Sequence, residues 1–178
     1  GAFDVTQGPV IRLWREARKS GRLPDAAALR EARARSGYRL LRLNASRRAV
    51  RLMRAGMQLD LGGIAKGYAA DEMLRVLRGA GFRRALVAAG GDVALGEGPP
   101  GRTEWRVSLV HGEEAEELVN AAVSTSGDAS QFVEIRGVRY SHIIDPRTGL
   151  GVTGAREVSV IARSGLEADP LATVAVLR

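Results

Sequence analysis

The chain has no cysteine among its 178 residues, and that absence removes disulfides, thiolate nucleophiles and Cys-ligated metals at once. It leaves the redox compartment open. No apolar run reaches the roughly 18 residues of a membrane-spanning helix, and the opening GAFDVTQGPV lacks the charged and apolar regions of a signal peptide. No membrane span and no targeting segment are therefore expected within these residues. Lysine is scarce as well: Lys19 and Lys66 are the only two, so the 27 basic residues are nearly all arginine. Histidine is limited to His111 and His142.

The net charge is +7 with a pI near 10.8, a balance that in other chains signals nucleic-acid binding through counterion release. Here the basic residues are spread over most of the chain, and the Arg, Ala and Gly bias reads as base composition. No nucleic-acid partner is expected. The same summed field favours approach of an anionic ligand. With 45% hydrophobic residues the chain has ample material for a packed core, and one domain over residues 1–178 is expected.

Residues 9–35 read as two helices, with Val10, Leu13, Trp14 and Ala17 at helical spacing, a break at Gly21 and Pro24, and Asp25 as N-cap of the restart. Tyr38 to Met53 alternates around a turn at Asn44 to Arg47 and predicts a half-buried hairpin. Met57 to Leu61 reads as a short strand. From Ile64 to Gly79 the apolar residues recur at helix period, so LDLGGIAKGYAAD is a glycine-rich loop entering a helix. Further strands are predicted at Ala85 to Ala89, Trp105 to Val110, Val119 to Ser124, Gln131 to Ile135, Val138 to Ile144 and Glu157 to Ala162, with a turn at Arg136-Gly137. Asp169 followed by Pro170 reads as an N-cap with proline at the first helical position.

Four clusters carry chemistry. Gly62 and Gly63 precede a helix whose first turn holds Lys66; free N–H groups and the helix dipole suit a phosphate there, although a glycine pair before a helix is also an ordinary tight turn. In VSTSGDASQF, small hydroxyls and a glycine between two strands could hydrogen-bond a ligand or form a plain polar turn. In YSHIIDPRTGLG, His142 lies inside a strand and is the side chain suited to proton transfer near neutral pH, while a structural histidine is the alternative. His111, beside Gly112 at a polar strand end, reads as a surface residue. In ADPLAT, Asp169 and Thr173 share a helix face at four-residue spacing; two hard oxygens suit Mg²⁺ rather than zinc, and a capping aspartate with a helix threonine is the alternative.

GAFDVTQGPV, LDLGGIAKGYAAD, AAGGDV, STSGD, YSHIIDPRTG and EADPLAT occur in the order and approximate spacing of the ApbE family, so the chain resembles the FAD:protein FMN transferases along essentially its whole length. The resemblance implies an α+β fold, T-fold-like, with antiparallel sheets packed by helices and a ligand cleft between two sub-regions. It implies a Mg²⁺-dependent transfer of FMN from FAD to a Thr or Ser hydroxyl of an acceptor protein, with release of AMP. Carried over by position, Ala2, Phe3 and Asp4 contact FAD, Lys66 sits beside it, and Mg²⁺ takes the Gly63 carbonyl, Asp169 and Thr173. His142 is the residue for proton handling. The acceptor implied is a subunit of a membrane redox complex, and the location implied is periplasmic or cell-envelope, with anchorage through an N-terminal segment absent here as one option. A domain that only binds FAD, or hydrolyses it to FMN and AMP, is the alternative. Family members extend beyond both ends of this sequence, so the chain is expected to be truncated, and Pro170 stands where ADALAT has alanine.

Overall fold

A computed structural model describes residues 2–110, 115–128 and 131–177. The helices are α1 (Gly8–Ser20), α2 (Ala26–Ala34), α3 (Ala65–Gly79) and α4 (Gly165–Val176), with a short 3₁₀ turn at Tyr38–Leu40. The strands run β1 (Leu41–Asn44), β2 (Ala49–Leu52), β3 (Leu86–Ala89), β4 (Asp92–Leu95), β5 (Trp105–Ser108), β6 (Ala115–Leu118), β7 (Ala122–Gly127), β8 (Phe132–Ile135), β9 (Val138–Ile144), β10 (Gly151–Thr153) and β11 (Glu157–Ala162). Every pairing among the described residues is antiparallel, so the fold is α+β as the sequence predicts. The chain divides into two compact units, one formed by the residues up to Leu61 with Asp128–Ala155, the other by Gly62–Gly127 with Arg156–Val176.

The first unit holds α1, α2, the β1-β2 hairpin and the sheet β10-β9-β8. Its core is built from Val10, Trp14 and Ala17 on one stripe of α1, Ala32 of α2 and Ile144 of β9. Trp14 tilts against Tyr140 with ring centroids 5.2 Å apart and donates its indole N–H to the Gly149 carbonyl at 2.8 Å, so a buried polar tip is satisfied. Asp25 caps α2 as predicted, its Oδ1 accepting from the Ala27 and Ala28 amides at 2.9 Å. The hairpin forms at the expected place, but β2 is exposed along its whole length and Leu43 is 73% exposed, so it is not half-buried. Alternation supplies a pleat; a second layer to bury one face is a separate requirement.

In the second unit, α3 and α4 pack on the sheet β11-β7-β4-β3, and β5-β6 forms a separate ribbon. Ala70 and Leu74 of α3 meet Ala94 of β4, with Ala85, Val87 and Ala89 around them. Three sequence expectations fail here or nearby. Met57 to Leu61 forms no strand; the Asp60 amide donates to the Val5 carbonyl at 2.8 Å. The strand expected from Val119 is instead split, with Val119 to Ala121 between β6 and β7, because Asn120 adopts a left-handed φ of 48° that ends one strand before the next begins.

The third is the start of α4. Asp169 is not its N-cap: the helix begins at Gly165, and Pro170 lies inside it. The capping carboxylate comes from α3, where Asp71 accepts from the Gly165 amide at 2.8 Å and the Leu166 amide at 2.9 Å. Pro170 cannot donate to the Leu166 carbonyl one turn back. Leu166 is 45% exposed, which allows water to take that carbonyl.

Candidate functional site

The buried stripe of α4 is Gly165, Ala168, Asp169, Ala172 and Val176. A carboxylate in such a stripe is costly unless its charge is met. Asp169, 1% exposed, accepts from the Gly67 backbone amide at 3.2 Å and pairs with the Lys66 ammonium at 3.1 Å. Both partners belong to the first turn of α3, so the two helices meet at this carboxylate. Gly67 makes the approach possible, because a Cβ there would stand 2.0 Å from the Gly165 carbonyl oxygen.

Lys66 reaches further. Its Nζ lies 3.4 Å from Asp92 Oδ2 and 3.5 Å from the Gly62 carbonyl. Asp92 opens β4 directly opposite Ser124 of β7, whose hydroxyl donates to Asp92 Oδ1 at 2.6 Å. Asp92 Oδ2 is buried and has no hydrogen-bond partner. Burial pushes the Asp92 carboxyl above its ordinary range, and the neighbouring Asp169 charge adds to this; the Ser124 hydroxyl and the Lys66 ammonium oppose it.

One turn along α4, the Thr173 hydroxyl donates to the Asp169 carbonyl at 3.3 Å and lies 3.3 Å from the Ser126 hydroxyl. Asp169 and Thr173 thus share a helix face as their spacing predicts, in mid-helix rather than in a first turn. Gly63 sits in the turn leading into α3. The donors gathered here are all hard oxygens, and among the described residues no group of three His, Cys, Asp or Glu side chains could cage a metal alone. This fits Mg²⁺, which binds through one or two carboxylates and takes its remaining ligands from water and phosphate. Two buried carboxyl groups, Asp92 and Asp169, face the single ammonium of Lys66, which leaves room for a further cation.

The remaining expected residues belong to the first unit. Ala2 is exposed and Phe3 half-buried. Asp4 Oδ1 accepts from the Thr6 amide at 2.9 Å and the Thr6 hydroxyl at 2.6 Å, while Oδ2 accepts from the Tyr38 amide at 3.0 Å. Asp4 also borders an open groove of about 740 Å³ that Arg30, Arg33, Tyr38, Arg39 and Arg147 line, a setting suited to an anion. His142 is exposed on β9. Its Nδ1–H donates to the Gln131 carbonyl at 3.0 Å, which orients the ring. His111 lies outside the described residues. Of the VSTSGDASQF cluster, Val123 to Gly127 is strand, and Asp128 is buried against Arg139 at 3.0 Å, so these residues are not the polar turn the sequence suggests.

Sequence reasoning missed Asp92, Asp71 and Ser126 as individual residues. AAGGDV did carry a signal: a carboxylate placed at the mouth of a short apolar strand, where nothing local can satisfy it.

The ApbE family model matches residues 1–178. The chain is 38% identical to the FAD:protein FMN transferase of Treponema pallidum, over 97% of this chain and 54% of that protein. It superposes on the ApbE protein of Thermotoga maritima with a TM-score of 0.86 at 34% identity, covering 99% of this chain and 60% of the other. The flavin transferase ApbE of Vibrio cholerae, solved as a histidine-to-glycine mutant, gives 0.84 at 33% identity over 99% and 59%. The chain spans about half the length of the curated relatives it matches. The family match along the whole chain, with relatives such as that of Treponema pallidum at 38% identity, establishes that this chain belongs to the ApbE family.

Proposed function

We propose that this protein is a Mg²⁺-dependent FAD:protein FMN transferase, moving FMN from FAD to a Thr or Ser hydroxyl of an acceptor protein and releasing AMP. The observation that carries the proposal is Asp169, a carboxylate in the buried stripe of α4 with Lys66 at 3.1 Å and Thr173 on the same helical face. The names of the relatives support the reaction class.

Asp169, Thr173 and the Gly63 carbonyl would hold the metal. The chemistry a bound Mg²⁺ would supply is neutralisation of charge on the FAD pyrophosphate. Lys66, in the first turn of α3, offers a second positive charge and is joined by the free amides of the helix terminus. Ala2, Phe3 and Asp4 are assigned to FAD by the family motif. His142 is assigned the acceptor proton: Nε2 takes it as the acceptor oxygen attacks the FMN phosphorus and the bridging P–O bond to AMP breaks. The hydrogen bond from Nδ1 to the Gln131 carbonyl supports the assignment by fixing the ring's orientation. We extend the proposal to the acceptor, a subunit of a membrane redox complex, and to a cell-envelope location; the family resemblance supports both.

The test is incubation with FAD, Mg²⁺ and a threonine-containing acceptor, followed by intact mass and nucleotide analysis. Acceptor gaining one FMN with stoichiometric AMP is expected, lost on chelation and in Asp169→Ala. FMN and AMP appearing with no labelled acceptor would instead make the protein a FAD pyrophosphatase. FAD bound without turnover would make it a carrier.

A further inference from the structure

Lys66 touches two buried carboxylates, and only one of them belongs to the assigned metal site. Asp169 is 3.1 Å from its Nζ and Asp92 3.4 Å, each carboxylate being 1% exposed. Asp169 has other support, from the Gly67 amide at 3.2 Å. Asp92 accepts from the Ser124 hydroxyl on Oδ1, while its Oδ2 faces the Lys66 ammonium as an ion pair without a hydrogen bond. Two buried carboxyl groups therefore share one ammonium, and Asp92 is the one outside the metal set. A lysine with a flexible four-carbon stem, 37% exposed along its side chain, can exchange between acceptors this close without a change in the backbone.

We propose that Lys66 is the resident cation of the metal site, displaced from Asp169 when Mg²⁺ binds, and that Asp92 is the positioning residue that receives it. The proposal rests on the metal assignment made above for Asp169 and Thr173. In the absence of metal, the ammonium neutralises Asp169 and keeps a buried carboxylate from standing unpaired. On Mg²⁺ binding, Lys66 would give up Asp169, keep and tighten its existing pair with Asp92 Oδ2, stay within the pocket, and present its charge beside the metal rather than against it. Asp92 thereby lowers the cost of giving up the Lys66–Asp169 pair. The metal competes with a tethered cation, so affinity for Mg²⁺ alone is held down until a ligand with its own negative charge enters.

The chain's composition makes this directly observable, since Lys19 and Lys66 are its only lysines. With ¹³C-labelled lysine the protein gives two side-chain signals. Titration with Mg²⁺ alone should move the Lys66 signal and leave that of Lys19, whose partner is Glu16 on the surface of α1. A Lys66 signal unmoved at metal saturation would overturn the proposal, with no variant required. Calorimetric titration of Mg²⁺ supplies the second arm. Lys66→Met should bind Mg²⁺ about tenfold more tightly than wild type, within the range of ordinary site-to-site coupling. Asp92→Asn should weaken binding about tenfold in wild type and less than about twofold in the Lys66→Met background, because Asp92 acts through the lysine. Equal effects of Asp92→Asn in both backgrounds, or a Lys66→Met protein that binds no tighter, would overturn it. If wild type binds Mg²⁺, Asp169→Ala does not, and Lys66→Met is unchanged, this proposal alone fails. If Asp169→Ala binds Mg²⁺ as wild type does, the metal assignment fails and the proposal falls with it.

Discussion

Gly67→Ala tests the packing on which the candidate site depends. The new methyl would stand 2.0 Å from the Gly165 carbonyl oxygen, 2.4 Å from its carbon and 3.0 Å from Asp169 Cβ. The obstacle is backbone, which cannot rotate aside, so α3 and α4 must separate. Overpacking of this kind costs about 1–3 kcal/mol. Separation also stretches the Gly67 amide bond to the Asp169 carboxylate, and a bond to a charged group contributes about 1.5–3 kcal/mol. The opposing gain is the helix preference for alanine over glycine, roughly 1 kcal/mol. The net is a loss of about 1.5–5 kcal/mol, or roughly 3–20 °C in Tm for a chain of this size. Gly79→Ala is the matched control, since a Cβ there meets nothing within 4 Å; it should be neutral or stabilising by about 0.5 kcal/mol. Thermal melts followed by circular dichroism decide the matter. Gly67→Ala melting within 2 °C of wild type, taking ~2 °C as below the shift for 1 kcal/mol, would refute the claim that the α3–α4 contact is closed to a methyl group.

Asp71→Ala removes the two hydrogen bonds that cap α4 and should cost about 1–2 kcal/mol in chemical denaturation, together with weaker Mg²⁺ binding measured by calorimetry. His142→Gln, on an exposed strand position, should change Tm by less than about 3 °C while transfer falls roughly 10²–10⁴-fold; parallel loss of both would assign the residue to folding. The Arg147 side chain holds the Asp145 carboxyl below its ordinary range by hydrogen bonding. A folded value below the unfolded one contributes stability that is full above about pH 3.9 and is lost as pH falls through the depressed folded value. Wild type should therefore lead Arg147→Ala in Tm at pH 6, with the lead shrinking in melts taken below about pH 4. A constant difference across the acid range would refute this.

The helices α1, α2 and α3 were legible because their signals are local: Gly21 and Pro24 punctuate, Asp25 caps, and apolar residues recur at helix period. The beginning of α4 was not, because its cap comes from Asp71, 94 residues away, while the tempting Asp-Pro pair lies mid-helix. Strand β6, of sequence AEEL, has no apolar alternation to reveal it and exists through pairing with β5. For the site, four-residue spacing put Asp169 with Thr173, and helix position picked out Lys66. Asp92 acquires its meaning only from the β4–β7 register, which sets it opposite Ser124, and from the reach of Lys66.

The order of the chain has a consequence for how the second unit comes to exist. Its first part, Gly62–Gly127, is synthesised well before Arg156–Val176, and the segment between them belongs to the other unit. Until that last part emerges, β7 lacks its neighbour β11, leaving a strand edge open to mispairing. The Lys66–Asp169 contact joins residues 103 apart, so it forms only when both parts have met. Occupancy of the pocket then depends on α4 having emerged: a nascent or clipped chain lacking α4 carries no Asp169 with which to hold a ligand.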